Sequence, residues 1–333
     1  MTQPIQVAPH IYQVTHPLPF ALNHVHCYLL DDGDGWTIID AGLHTSKGEA
    51  SWLNAFEALH IAPADLKRIV LTHTHPDHFG MAGWLQQWGQ NGRADEQAPP
   101  ILMSPREHEI AEYTWMRLDN QIAYMEEHLL HCGLESKMAK EVAHNTRYVA
   151  ERTRPHPHTI QELYPGETIE MAQRQFSMLL VPGHADGQLI FHNAAEALMI
   201  SGDHVLMDIT PNISSWPGTE HDPLGRYLDS LEQLKQYDVA LATPGHKRLI
   251  TDWNGRLQEL ILHHDQRLQD TLAAVKEGTT VEEVSLSVFR LEQLTVHEAR
   301  FAITETLAHL DYLVARHQLQ RDETAVWRYY HVS

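Results

Sequence analysis

An apolar run that ends abruptly in a cluster of imidazoles constrains this chain more than any other feature. Leu66 to Leu71 reads as a short buried strand, and it feeds directly into Thr72-His-Thr-His-Pro-Asp-His-Phe-Gly80. His73 and His75 are two residues apart, so on an extended backbone both side chains project to the same side. Pro76 then forces a turn that carries Asp77 and His78. Histidine and carboxylate are common ligands of zinc and comparable divalent metals. A geometry of this kind can offer ligands to two adjacent ions instead of crowding one, but four ligands do not complete two sites.

Three later segments share one design and can supply the rest. LLVPGH ends at His184, MISGD at Asp203 and LATPGH at His246. Each is an apolar strand closing in a small-residue loop, where a glycine before the ligand lets the backbone turn sharply over the strand end. Together these seven side chains, with one carboxylate able to bridge, suffice for a two-metal centre.

The rest of the composition narrows the class. At 333 residues, 43% hydrophobic and 20% charged, the chain can bury a large core and has ordinary globular composition. A net charge of -20 argues against a protein that tracks phosphates through clustered Lys and Arg. Cys27 and Cys132 are the only cysteines, make no disulfide framework and suit a reducing compartment. The opening residues lack the basic and apolar regions of a secretory signal, and no apolar run approaches the ~20 residues of a membrane span. The expectation is a cytoplasmic protein, away from membranes, with a small-molecule substrate.

Strand and helix periodicities alternate along the first 250 residues. His26–Leu30 and Trp36–Ile39 flank the turn Asp31-Asp-Gly-Asp-Gly35, a hairpin signature. Ser46 to His60 reads as a helix with Ser46 as its N-cap, and Met81 to Trp88 as another. Strands are expected at 101–104, 175–181, 189–192, 197–200 and 239–242, with a helix from Pro223 to Tyr237. Residues 105–152 form a long stretch of helical spacing. From about Trp253 the character changes to three helices, near 254–276, 280–289 and 295–318, and a strand-like end at 325–332.

His73-x-His75-x-Asp77-His78, followed by His184, Asp203 and His246, resembles the signature of the metallo-β-lactamase superfamily, and Asp40 in IIDAG matches that family's early Asp-x-Gly. The likeness spans residues 10 to 250 and implies an α/β fold, the αββα sandwich, with two metals at one edge between the sheets. It implies that His73, His75 and His184 hold the first metal, that Asp77, His78 and His246 hold the second, and that Asp203 bridges. In the flavodiiron branch the second histidine is typically a glutamate, so His75 favours a hydrolase. Two divalent ions, zinc foremost with iron and manganese accepting the same set, would ionise a water for attack. Asp77 would orient that nucleophile and relay its proton. Asp40 would fix a ligand imidazole from behind, or else serve only as a turn residue before Gly42.

Substrate contacts are sought in three places. The helical insertion, about 105–160, could form a lid, with Trp115 and Tyr124 among its aromatic positions. The loop after Asp203 carries Asn212 and Trp216, and Lys247 follows His246. The tail, 251–333, reads as a small winged-helix-like domain after a 1–250 catalytic domain. This arrangement is similar to the subfamily containing the mitochondrial β-lactamase-like endoribonuclease and many bacterial hydrolases. Its segments His297-Glu-Ala-Arg and Thr304-Glu-Thr are not a basic recognition face, so packing on the catalytic domain, or a homodimer, is its expected role. The function expected is hydrolysis of a small ester or thioester, of acyl-CoA, glutathione-conjugate or lactone type. The alternatives are a phosphodiesterase or ribonuclease, and a non-catalytic metal-dependent sensor.

Overall fold

Period-two alternation builds two sheets that share one apolar interior. The structure, a computed structural model, describes residues 3–332 except 92 and 94–96. Strands β1 (Ile5–Ala8), β2 (Ile11–Pro17), β3 (His24–Asp31), β4 (Trp36–Ile39), β5 (Leu66–Val70), β6 (Ile101–Met103) and β7 (Ile160–Glu162) pair in chain order. They are antiparallel as far as β4 and parallel from there on. The second sheet has the order β12-β11-β10-β9-β8, from β8 (Thr168–Met171), β9 (Arg174–Leu180), β10 (Leu189–Asn193), β11 (Leu198–Gly202) and β12 (Leu241–Pro244).

Alternate residues sort to opposite faces. Tyr28, Leu30, Ile39 and Val70 from one sheet meet Phe176, Met178, Leu189 and Phe191 from the other in a single cluster. Their neighbours Leu29, Ile38 and Ile69 turn outward to the helices α1 (Ser46–Ala58) and α3 (Ala82–Gln90), which precede and follow the one-turn α2 (Pro76–Phe79). Helix α1 begins one residue earlier than its sequence suggests. Thr45, not Ser46, is the N-cap, because its backbone is extended and its hydroxyl accepts from the Gly48 N–H at 3.0 Å.

The insertion contains α4 (Pro105–Ala111), a π-helical turn at Glu112–Met116, α5 (Leu118–His131) and α6 (Ser136–Ala150). On the far side, α7 (Pro223–Leu234) and α8 (Trp253–Ala274) cover Ile190 and Met199. Helices α9 (Val281–Phe289) and α10 (Val296–Ala315) both open with capping boxes, Thr280 with Glu283 and Thr295 with Glu298. The terminal piece is a three-stranded sheet of order β13-β15-β14, from β13 (Thr279–Thr280), β14 (Leu319–Asp322) and β15 (Arg328–His331). The tail is not separate from the rest: Leu129 and Val142 of the insertion, Leu231 of α7, Leu260 of α8 and Ile303 and Leu307 of α10 belong to one continuous core. No helix among the described residues is long and apolar enough to cross a membrane.

Phe191 is fully buried between the sheets. Phe191→Ala is expected to cost about 3–5 kcal/mol of unfolding free energy by chemical denaturation, whereas Leu262→Ala, at an exposed position of α8, should change it by less than about 0.5 kcal/mol.

Candidate metal centre

Strand pairing brings the ends of β4, β5, β9, β11 and β12 to one edge, and every sequence-predicted ligand lies in the loops just beyond them. Asp40 follows β4, His73 to His78 follow β5, His184 follows β9, Asp203 follows β11 and His246 follows β12. The loop after β5 is tied to the second sheet where the Leu189 N–H donates to the Thr72 carbonyl at 2.9 Å. Glycines make the approach feasible for different reasons. Gly183 adopts φ +132, and a Cβ there would sit 2.4 Å from the Tyr227 Cβ. Gly245 is needed for space: a Cβ would lie 2.2 Å from Asp203 Oδ1 and 2.7 Å from His78 Cε1.

Seven side chains converge in three overlapping groups: His73, His75 and His184; His73, His78 and Asp203; and Asp77, His78 and His246. Within each group the candidate ligand atoms lie within 4.8 Å of one another. The partners behind the rings reveal which nitrogens face inward. His184 Nδ1 is 2.9 Å from the Asn212 carbonyl and His246 Nδ1 is 2.7 Å from that of His24, so both must donate there and turn Nε2 towards the site. Thr72 Oγ1 donates to Asp40, which leaves it to accept from His73 Nδ1 at 2.9 Å. His78 Nδ1 donates to Asp40 Oδ2 at 2.8 Å. His75 Nδ1 then faces His73 Nε2 at 3.1 Å and His184 Nε2 at 2.9 Å, two acceptors that one proton cannot serve together.

The second half of the cluster is as telling. Asp203 lies 3.3 Å from His78 Nε2, 3.1 Å from His246 Nε2 and 3.9 Å from His184 Nε2, and Asp77 lies 3.4 Å from His246 Nε2. His78 Nε2 and Asp203 Oδ1 are buried without a hydrogen-bond partner. Burial lowers the His73, His75 and His184 imidazoles, with His75 near about 3. Burial acts in the same direction on His78 and His246, yet the facing carboxylates outweigh it. His246 rises to about 10 and His78 well above the usual imidazole range. Desolvation would raise Asp77, but His246 and His78 hold it at about 2. Protons on two imidazoles thus neutralise the acidic half, a balance that a divalent cation would take over. The donor set, the inward ring nitrogens and the two orphaned atoms all fit a pair of metal ions.

The other expected residues separate. Asp40, at φ +60, accepts from the Thr72 N–H, the Thr72 hydroxyl and His78, so it joins the β5 loop to a ligand ring. Asn212 touches the site through its backbone, while its amide donates to Glu305 Oε2 at 2.5 Å. Trp115 is buried in the core, and its indole donates to the Thr74 carbonyl at 2.8 Å. Tyr124 is exposed on α5. Trp216 lies against α10, 6.4 Å from the Phe301 ring. The Lys247 carbonyl accepts from His26 Nε2, and its side chain lines an open pocket of about 490 Å³ with His24, His26 and Arg248.

Two supports escape a reading of the sequence. Glu107, on α4, accepts from the Thr74 N–H and hydroxyl and from the Gly187 N–H, which locks the β5 loop to the His184 loop. Its position in PREHE carries no signal beyond helix capping. Asp186 likewise gathers Arg106 and Arg226, at 3.0 and 3.1 Å, beneath that loop.

Comparison with known proteins agrees with this geometry. Residues 21–246 match the model of the metallo-beta-lactamase superfamily, and residues 268–332 match that of the metallo-beta-lactamase-like C-terminal domain. Similar proteins include the probable metallo-hydrolase YqjP of Bacillus subtilis, 26% identical across 93% of each chain. Among solved structures, a metallo-beta-lactamase family protein of Thermus thermophilus is 29% identical with a TM-score of 0.84, covering 98% of this chain and 100% of its own. A beta-lactamase domain protein of Burkholderia ambifaria is 28% identical with a TM-score of 0.85, covering 99% and 94%. With both of its segments matched in this way, the chain belongs to the metallo-beta-lactamase superfamily and is a metal-dependent hydrolase.

Proposed function

We propose that this hydrolase cleaves a small ester or thioester at a dinuclear centre. One observation carries the reading: five imidazoles and two carboxylates converge in three overlapping groups, where His78 Nε2 and Asp203 Oδ1 are buried with no hydrogen-bond partner and only each other at 3.3 Å. In this reading His73, His75 and His184 hold one cation and Asp77, His78 and His246 hold the other. Asp203 lies against residues of both groups and would be shared between them. Two divalent ions, foremost zinc, would supply Lewis acidity and lower the pKa of a bound water towards ~7.

The chain's own residues direct the rest. Asp77 orients the attacking water and takes up its proton. The water oxygen adds to the acyl carbon, the C–O or C–S bond breaks, and the proton passes to the leaving oxygen or sulfur. An apolar wall supports an acyl substrate: Phe20 stacks on His297 at 4.4 Å, and Trp216 and Phe301 stand alongside. The acidic balance of the chain disfavours a polynucleotide in this place. The division into a catalytic 1–250 and a winged-helix-like 251–333 belongs to the same proposal, with the second part acting as a wall of the site.

Three outcomes are expected. Zinc-loaded protein should turn over p-nitrophenyl acetate or a simple thioester faster than bis-p-nitrophenyl phosphate; the reverse ranking would transfer the proposal to phosphodiesters. Asp77→Ala and His75→Ala should abolish turnover, to below about 1% of wild type, while circular dichroism shows the fold retained; near wild-type rates in either sink the mechanism. Asp40→Asn keeps a residue that tolerates φ +60 but weakens the acceptor behind His78. It should lower zinc affinity about 10- to 100-fold in a chelator competition, and an unchanged affinity would leave Asp40 a turn residue only.

A further inference from the structure

Helix α10 carries a buried cation with no anion to match. Arg300 is only 8% exposed, yet no carboxylate or carbonyl among the described residues accepts from its guanidinium, and its Nε is buried unpaired. A buried charge ordinarily has a partner, because leaving water is costly. Arg300 instead stands over two rings, its Cζ 4.6 Å from the Phe301 centroid and 5.4 Å from that of Trp216. Burial draws its pKa down to about 10, and among the described residues the charge that resists this is Asp77 of the metal centre.

Its place in the helix explains where it faces. Arg300 lies one turn before Thr304, whose hydroxyl bonds Ser214 at 2.9 Å and whose carbonyl accepts the Ser215 N–H at 3.0 Å. Residues 300 and 304 therefore share the helix face turned to the 212–216 loop. That loop begins at Asn212, the residue whose carbonyl holds His184. The guanidinium is thus held between the metal-bearing loops and an aromatic wall, with its hydrogen-bonding edge unspent.

We infer that Arg300 is a specificity-determining residue that receives an oxyanion of the substrate, a carboxylate or phosphate borne on the acyl or leaving group, beside the hydrolysed bond. The inference rests on the proposed ester or thioester hydrolysis for its meaning in turnover, but not for the anion site itself. A planar fork donating to two oxygens, with two rings against it to exclude water, is the arrangement that makes charge-assisted pairing strong. A role confined to stacking on Trp216 and Phe301 predicts a different outcome, since it asks nothing of the ligand's charge.

The full-length, zinc-loaded wild type, Arg300→Gln and Arg300→Lys are to be compared by two readouts, with circular dichroism and zinc content as controls. Calorimetry measures binding of glutarate and of methylphosphonate, which distinguishes carboxylate from phosphate-like ligands. Kinetics compare p-nitrophenyl acetate with mono-p-nitrophenyl glutarate. Arg300→Gln should weaken binding of the preferred anion by about tenfold to a hundredfold. Its kcat/KM loss on the anionic ester should exceed that on the neutral ester by at least about tenfold, expressed in KM, with Arg300→Lys recovering part. Equal losses on both esters, or unaltered anion affinity in a folded Arg300→Gln, overturn the inference. Failure of Arg300→Gln to fold passes the decision to Arg300→Lys, whose affinity must fall short of wild type. A wild type that hydrolyses neither ester but loses anion affinity on substitution refutes the ester reading alone. A wild type that binds neither anion refutes the anion site.

Discussion

Like groups crowded out of water dominate this molecule. Five imidazoles and two carboxylates share one buried edge, and His75 Nδ1 faces two acceptors that one proton cannot serve together. Such a cluster would scatter in a flexible chain. It persists because four of the five rings are held from behind: His246 and His184 by the His24 and Asn212 carbonyls, His73 by Thr72, and His78 by Asp40. The strain of assembling it is met by the sheets, whose interior buries large side chains on both faces and makes the strand ends rigid. The protein spends packing energy to keep a polar site open to cations, and metal ions turn that cost into affinity.

The tail is part of this design. Helix α10 shares a core with α7, α8 and the insertion, and it reaches the site through Thr304, Glu305 and Arg300. A ligand loop that rested only on solvent would leave His184 free to turn. Here the 212–216 loop is clamped by α10, so the C-terminal residues steady a ring contributed much earlier in the chain. The two matched family segments are therefore packed as one body, with the second holding the 212–216 loop of the first.

Much of this was legible in residue order, for local reasons. Turn chemistry made Asp31 to Gly35 a hairpin, and the apolar strand followed by Gly and a ligand marked three of the four ligand loops. The shift of the α1 cap from Ser46 to Thr45 shows the limit of such signals: both residues can cap, and the extended backbone chose between them. The terminal β13 and β14 were not anticipated, because strands of two and four residues acquire their identity only by pairing with β15. Glu107 was invisible for the same reason: its three donors come from residues 33 and 80 positions away.

The sequence by itself determined which chemistry is present: His-x-His-x-Asp-His on a turn, and three more ligands each at the end of an apolar strand. Those features follow from period-two geometry and from what proline and glycine allow, and they are written in neighbouring residues. Only the tertiary structure decided what surrounds that chemistry. It placed Asp40 behind His78, turned Trp115 from a candidate substrate contact into a buried prop for Thr74, and left Arg300 of a distant helix buried over Phe301 and Trp216. Such relations depend on which faces pack together, and packing couples residues that no local pattern connects.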